Sequence, residues 1–169
     1  MPGGSGVEEN AMFETLGGGV VVFLLDRAAK AAAFARDGAA QPELAFGGLC
    51  GIRPVRNAAP WAWRRGSPAA WVAAIAAAVL AAWAGAQLDL FATAPARIGL
   101  GAALGGALGN LYDRLRHGAV LDFLHCGLRA RGRSFRSAFN LADVAIVGGL
   151  LCVSVSYVAA LPLAWPAAD

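Results

Sequence analysis

Two uncharged apolar runs, Ser67 to Leu88 and Val144 to Trp165, each 22 residues long, constrain this chain more than anything else in it. A bilayer's hydrocarbon core takes about 20 apolar residues per helix, so both runs read as membrane-spanning helices. Phe91 to Tyr112 reads the same way, with Arg97 its one charge. The first helix is less clean: Thr15 to Leu25 gives 11 uncharged residues before Asp26, Arg27 and Lys30, and then an alanine-rich stretch continues to Ala35. The expectation is one integral membrane domain over residues 1–169, with spans at about 13–36, 67–88, 91–112 and 143–165. Composition agrees: 58% of residues are hydrophobic, and 15% are charged, against about 25% in soluble domains.

The charges that interrupt the first span need partners. Asp26 and Lys30 are four residues apart and share a helix face. They either neutralise each other or face the interior and brace a site. On the third helix, Gly101, Gly105 and Gly109 line one face where another helix can approach closely, a packing face that also leads to Asn110 and is expected to border a substrate groove. Two connections are long, Asp37 to Gly66 and Asp113 to Phe139. In the first, Glu43 to Phe46 and Cys50 to Arg56 alternate like short strands.

The three cysteines have no zinc-type spacing. Cys152 sits in an apolar run as a small packing residue. Cys50 and Cys126 lie in the long connections and pair only if both face an oxidising compartment. The residues before the first apolar run carry Glu8, Glu9 and Glu14 and no basic residue, the opposite of a signal peptide's n-region. The net charge of +3 comes without the aromatic-interleaved basic patch that nucleic-acid binding needs.

Chemistry concentrates between Gly109 and Asp143, in GNLYDRLRHGAVLDF and, later, FNLAD. Asp122 and Asp143 are embedded in apolar neighbours, where a carboxylate is costly. Two carboxylates close together do not both ionise easily: one keeps a proton while the other stays charged. Such a pair can activate water and protonate a carbonyl oxygen, which is metal-free peptide hydrolysis. Asn110 and Asn140 can hydrogen-bond substrate or orient the acids, and Arg114 can reach a peptide carbonyl or pair with Asp113, the pairing expected here. In the blander reading, Asp143 is an N-terminal helix acid and Asn140 its cap. His117 and His125 read as interfacial polar residues; no metal is expected.

GN-x-x-DR, then V-x-DF, then FN-x-AD resembles the lipoprotein signal peptidase family, also called signal peptidase II. The resemblance implies an all-α membrane protein: four transmembrane helices with a small extracytoplasmic β-containing loop region. It implies an aspartic endopeptidase without cofactor, with Asp122 and Asp143 catalytic and Asn110, Arg114 and Asn140 supporting. Asp26, Lys30 and, within Arg56-Asn57, Asn57 match further family positions. The implied substrates are diacylglyceryl-modified prolipoprotein signal peptides, cut just before the lipid-bearing cysteine. Membrane lipids are the other expected partners, and the expectation is a monomer that does not bind nucleic acid.

Two departures stand out. Arg27 follows the first-helix aspartate where the family usually has Gln, and Ala58-Ala59-Pro60-Trp61 follows Asn57 where it tends to have Gly and Phe. Orientation carries a conflict. The side with the long connections holds eleven arginines and the opposite side only Arg97, which argues for long connections in the cytoplasm. The resemblance puts the site at the outer face of the bacterial inner membrane, and that orientation is adopted. The rivals are an inactive relative that binds lipidated signal peptides, or a small proton- or ion-handling membrane protein.

Overall fold

The computed structural model describes residues 5–35, 43–45, 50–58, 85, 91–130 and 133–161. Its elements are α1 (Ser5–Ala35), β1 (Glu43–Ala45), β2 (Cys50–Asn57), α2 (Ala94–His117), β3 (Val120–Ala130), β4 (Arg133–Phe139) and α3 (Leu141–Ala160). The expected second span, 67–88, lies outside the described residues except for Gly85. The fold is mostly helical but not all-α, because the two long connections build one four-stranded antiparallel sheet, ordered β1-β2-β3-β4. The two expected short strands appear as β1 and β2. The hairpin β3–β4 is an addition to the sequence reading.

Local chemistry sets the helix ends. Thr93 caps α2 by accepting from the Ala96 amide, with proline in the first turn. The helix runs on to His117 and stops at Gly118, whose φ of 66° is a left-handed cap that glycine adopts without strain. The helix thus continues more than a turn past Tyr112, where the apolar run ends, and Asp113 and Arg114 lie inside it. Asn140 caps α3 through a reciprocal bond with Asp143. Among the described residues α3 is the one helix long and apolar enough to cross a membrane, with mean hydropathy 2.0.

Glycine lets the three helices meet. A Cβ on Gly101 would strike the Thr15 carbonyl, one on Gly105 the Gly19 carbonyl, and one on Gly109 the Asp26 carboxylate, at 2.8 Å. The Gly101–Gly105–Gly109 face is thus filled by α1, so the expectation that it borders a substrate groove is corrected. A second glycine face, Gly99 and Gly106, receives Gly149 and Ala142 of α3. Residue pairing rises in step along α1 and α2, from Glu14–Arg97 to Lys30–Asp113, so these helices run parallel; α3 runs antiparallel to α2. Outward faces keep large apolar side chains, among them Leu16, Val20 and Leu24 on α1 and Val147, Leu151 and Val155 on α3. Cys152 is exposed rather than packed inside.

Candidate active site

The sheet brings Asp122 to the helix ends. Asp122 is the third residue of β3, opposite Val55 of β2, and Asn57 lies opposite Val120 on the same sheet face. Asp122 is buried, and its oxygens accept from two amides that neighbouring sequence does not supply: Asn57 Nδ2 at 2.8 Å and Asn140 Nδ2 at 2.8 Å. Asp143 sits in the first turn of α3. Its Oδ1 accepts from Asn110 Nδ2 at 2.7 Å and its Oδ2 from the Asn140 amide at 3.1 Å, while its own N–H donates to Asn140 Oδ1 at 3.0 Å. Asn140 therefore touches both acids. The cap reading of Asn140 holds, and the same side chain also reaches Asp122.

Asn110 is oriented from behind. Its Oδ1 accepts from Asn140 Nδ2 at 3.0 Å and from Lys30 Nζ at 3.2 Å, which turns its amide group toward Asp143. Burial disfavours the charged form of Asp122 and raises its pKa, outweighing the Asn57 and Asn140 hydrogen bonds that favour the carboxylate; the nearby Asp143 charge pushes the same way as burial, while Lys30 opposes it. Arg114 Nη1 approaches the Asn110 carbonyl at 3.5 Å.

Behind these residues lies a buried ion cluster. Asp26 and Lys30 pair at 2.8 Å, as their spacing predicts, and they face inward. Asp113 does not act as a local partner of Arg114: its oxygens take Arg27 at 2.5 Å and Lys30 at 2.6 Å. The correction has a physical origin. Inside α2, Asp113 lies three residues beyond Asn110 on the face that α1 covers, so the α1 cations reach it. Arg27 and Asp113 are the site residues the sequence reading missed. The available signal was the Asn110–Asp113 spacing, provided the helix is read through to His117.

Cys50 and Cys126 lie directly opposite on β2 and β3, with Cα atoms 4.2 Å apart, and form a disulfide. It ties the strand that carries Asn57 to the strand that carries Asp122. Among the described residues no group of His, Cys, Asp and Glu is arranged to hold a metal.

A sequence model of the family described as Signal peptidase (SPase) II matches residues 19–159, most of the chain and all the site residues above. The chain belongs to the signal peptidase II family. A lipoprotein signal peptidase of Nitrobacter hamburgensis is 47% identical over 62 residues, 36% of this chain and 38% of the relative. One from Rhodopseudomonas palustris is 44% identical over 73 residues, 43% of this chain and 44% of the relative. One from Anaplasma marginale is 53% identical over 53 residues, 31% and 29%. The alignments thus span less than half the length of these relatives. The fold resembles a structure described as a bacterial membrane enzyme solved by the in meso method at 2.3 Å, with TM-score 0.67 and 17% identity, covering 95% of this chain and 94% of the other. A second such structure, at 1.9 Å, has TM-score 0.60 and covers 90% and 95%.

Proposed function

We propose that this member of the signal peptidase II family is an intramembrane aspartic endopeptidase that removes signal peptides from lipid-modified prolipoproteins, cutting before the diacylglyceryl cysteine. The observation that carries the reading is the convergence of Asp122 and Asp143 on Asn140, each acid held by amide donors from separate elements. Asp122, held toward its neutral form by burial, supplies a proton to the scissile carbonyl oxygen. The other carboxylate takes a proton from water, whose oxygen attacks the carbonyl carbon. Collapse of the tetrahedral species breaks the C–N bond: the acid that took the proton from water gives it to the leaving nitrogen, and Asp122 takes a proton back from the hydroxyl oxygen, which restores the starting pair.

Four spans with the site at the outer face of the inner membrane belong to the same reading. The Cys50–Cys126 disulfide favours an oxidising compartment for this end. The apolar flanks of α1 and α3 suit lipid, where the diacylglyceryl group and the signal helix would lie.

The test is cleavage of a lipidated precursor by the reconstituted protein. Wild type cleaves, and Asp122→Asn and Asp143→Asn each lose activity by at least about a thousandfold. Full cleavage by both variants would falsify the acid-pair assignment; precursor binding without cleavage by wild type would identify a non-catalytic binder.

A further inference from the structure

The ion cluster reaches the backbone on which each acid stands. Asp26 Oδ1 accepts from the Ala142 amide at 3.0 Å, the residue before Asp143. Asp113 Oδ2 accepts from the Leu121 amide at 3.2 Å, the residue before Asp122. One guanidinium spans these two anchors: Arg27 Nη1 donates to Asp113 Oδ1, and its Nη2 donates to Asp26 Oδ2 at 2.6 Å and to the Gly109 carbonyl at 3.2 Å. The rings of Tyr112 and Phe23 lie 5.0 and 5.8 Å from the guanidinium carbon and are edge-to-face with each other, which fixes the fork in place.

From these contacts we infer that Arg27 is a positioning residue for the acid pair: it clamps together the two carboxylates that anchor Leu121-Asp122 and Ala142-Asp143, and its charge makes the buried cluster neutral. The inference rests on the proposed peptidase reading. With Arg27 present, two carboxylates face two cations. Without it, Lys30 alone faces both, and the cluster carries a net negative charge.

That charge would be felt at the acids, because Lys30 connects to Asp143 through one side chain, Asn110. Among the described residues, the charged groups nearby are few. On α1 they are Asp26, Arg27 and Lys30; on α2, Asp113 and Arg114; Arg56 and His125 stand by register on the sheet face opposite Asp122. One unneutralised charge at this remove is worth on the order of one pKa unit at a protein-like dielectric.

The test uses the reconstituted full chain, after wild-type cleavage and the loss of activity in the two Asp→Asn variants have secured the peptidase reading. In Arg27→Gln, the alkaline limb of the kcat profile moves up by about one pH unit, and kcat falls while KM holds. Arg27→Gln with Asp113→Asn restores neutrality and returns the limb to its wild-type position. Arg27→Lys keeps the charge but loses the fork, so the limb stays in place while kcat drops about tenfold. An unmoved limb in Arg27→Gln, or a limb that the double variant does not return, overturns the electrostatic role. A wild-type kcat in Arg27→Lys overturns the clamp, and this arm is readable even if Arg27→Gln does not fold. Infrared titration of the protonated carboxyl band that Asp122→Asn removes reports the same shift without turnover, which separates failure of this inference from failure of the peptidase reading.

Discussion

Asn57 is exposed, yet its amide donates to a buried carboxylate that burial drives toward neutrality. Its contribution has a definite sign. A hydrogen bond to a carboxylate favours the charged form, so Asn57 lowers the pKa of Asp122 from where burial alone would leave it. An acid pair whose proton is held above the ordinary carboxylate range, about 3.9, remains active at higher pH and loses activity as pH rises through the raised value. Asn57→Ala therefore moves the alkaline limb of the cleavage profile upward, by roughly half to one pH unit. A downward shift, or none, would show that Asn57 does not act on Asp122. The sign for stability follows from linkage: because the folded-state pKa is raised, the contribution of Asp122 to stability is present below the unfolded pKa and is lost as pH rises through the folded value. Asn57 was legible as a candidate only through resemblance, since nothing in Arg56-Asn57 by itself points to an acid 65 residues away.

At the scale of elements, backbone contact between helices does what side-chain volume does in a soluble core. Gly105 meets Gly19 across α1–α2, and Gly99 meets Gly149 across α2–α3. Gly105→Ala has no room, because its methyl would strike the Gly19 carbonyl, and overpacking of this kind costs about 1–3 kcal/mol. Gly148→Ala has open space and stays within about 0.5 kcal/mol of wild type. Thermal unfolding of the two variants in the same detergent checks this pair; equal midpoints would remove the close-contact account of the helix seam. Features of this local kind were legible in the sequence. Glycines four apart, an asparagine opening a helix and an Asp–Lys pair one turn apart each carry their meaning within a few residues. The misread features depend on distant chain. Val120–Ala130 mixes small, polar and apolar residues without clean alternation, and becomes a strand because β2 and β4 flank it. Asp113 looked like a partner for its neighbour because the Arg27 that holds it is 86 residues away.

For the whole molecule, two signals point opposite ways on the proposed orientation, and they differ in physical scope. On the four-span reading, eleven arginines share the side that holds the acids, and Arg97 stands alone on the other. The positive-inside rule draws its force from short loops close to the membrane, whereas long segments translocate largely regardless of charge. Ten of these arginines sit in the two long connections, much of which folds into the sheet. Arg114 and Arg116 also complete the last turn of α2, where positive charge suits a helix C-terminus. The arginine count is thus weakened by the fold that holds it. The disulfide meets no such discount: disulfides persist in oxidising compartments and are rare where thiols are kept reduced, and this one joins the two strands beside the acids. The expected outcome is that, after mild reduction of intact cells, a membrane-impermeant maleimide labels Cys50 and Cys126 from outside, and that loss of label in the Cys50→Ser, Cys126→Ser double variant verifies the site. Cys152, midway along the apolar α3, remains unlabelled. A reporter that works only outside the cytoplasm, fused after Asp169, stays silent. Labelling that requires a permeabilised membrane, together with an active reporter, would invert the orientation and place the acid pair at the cytoplasmic face.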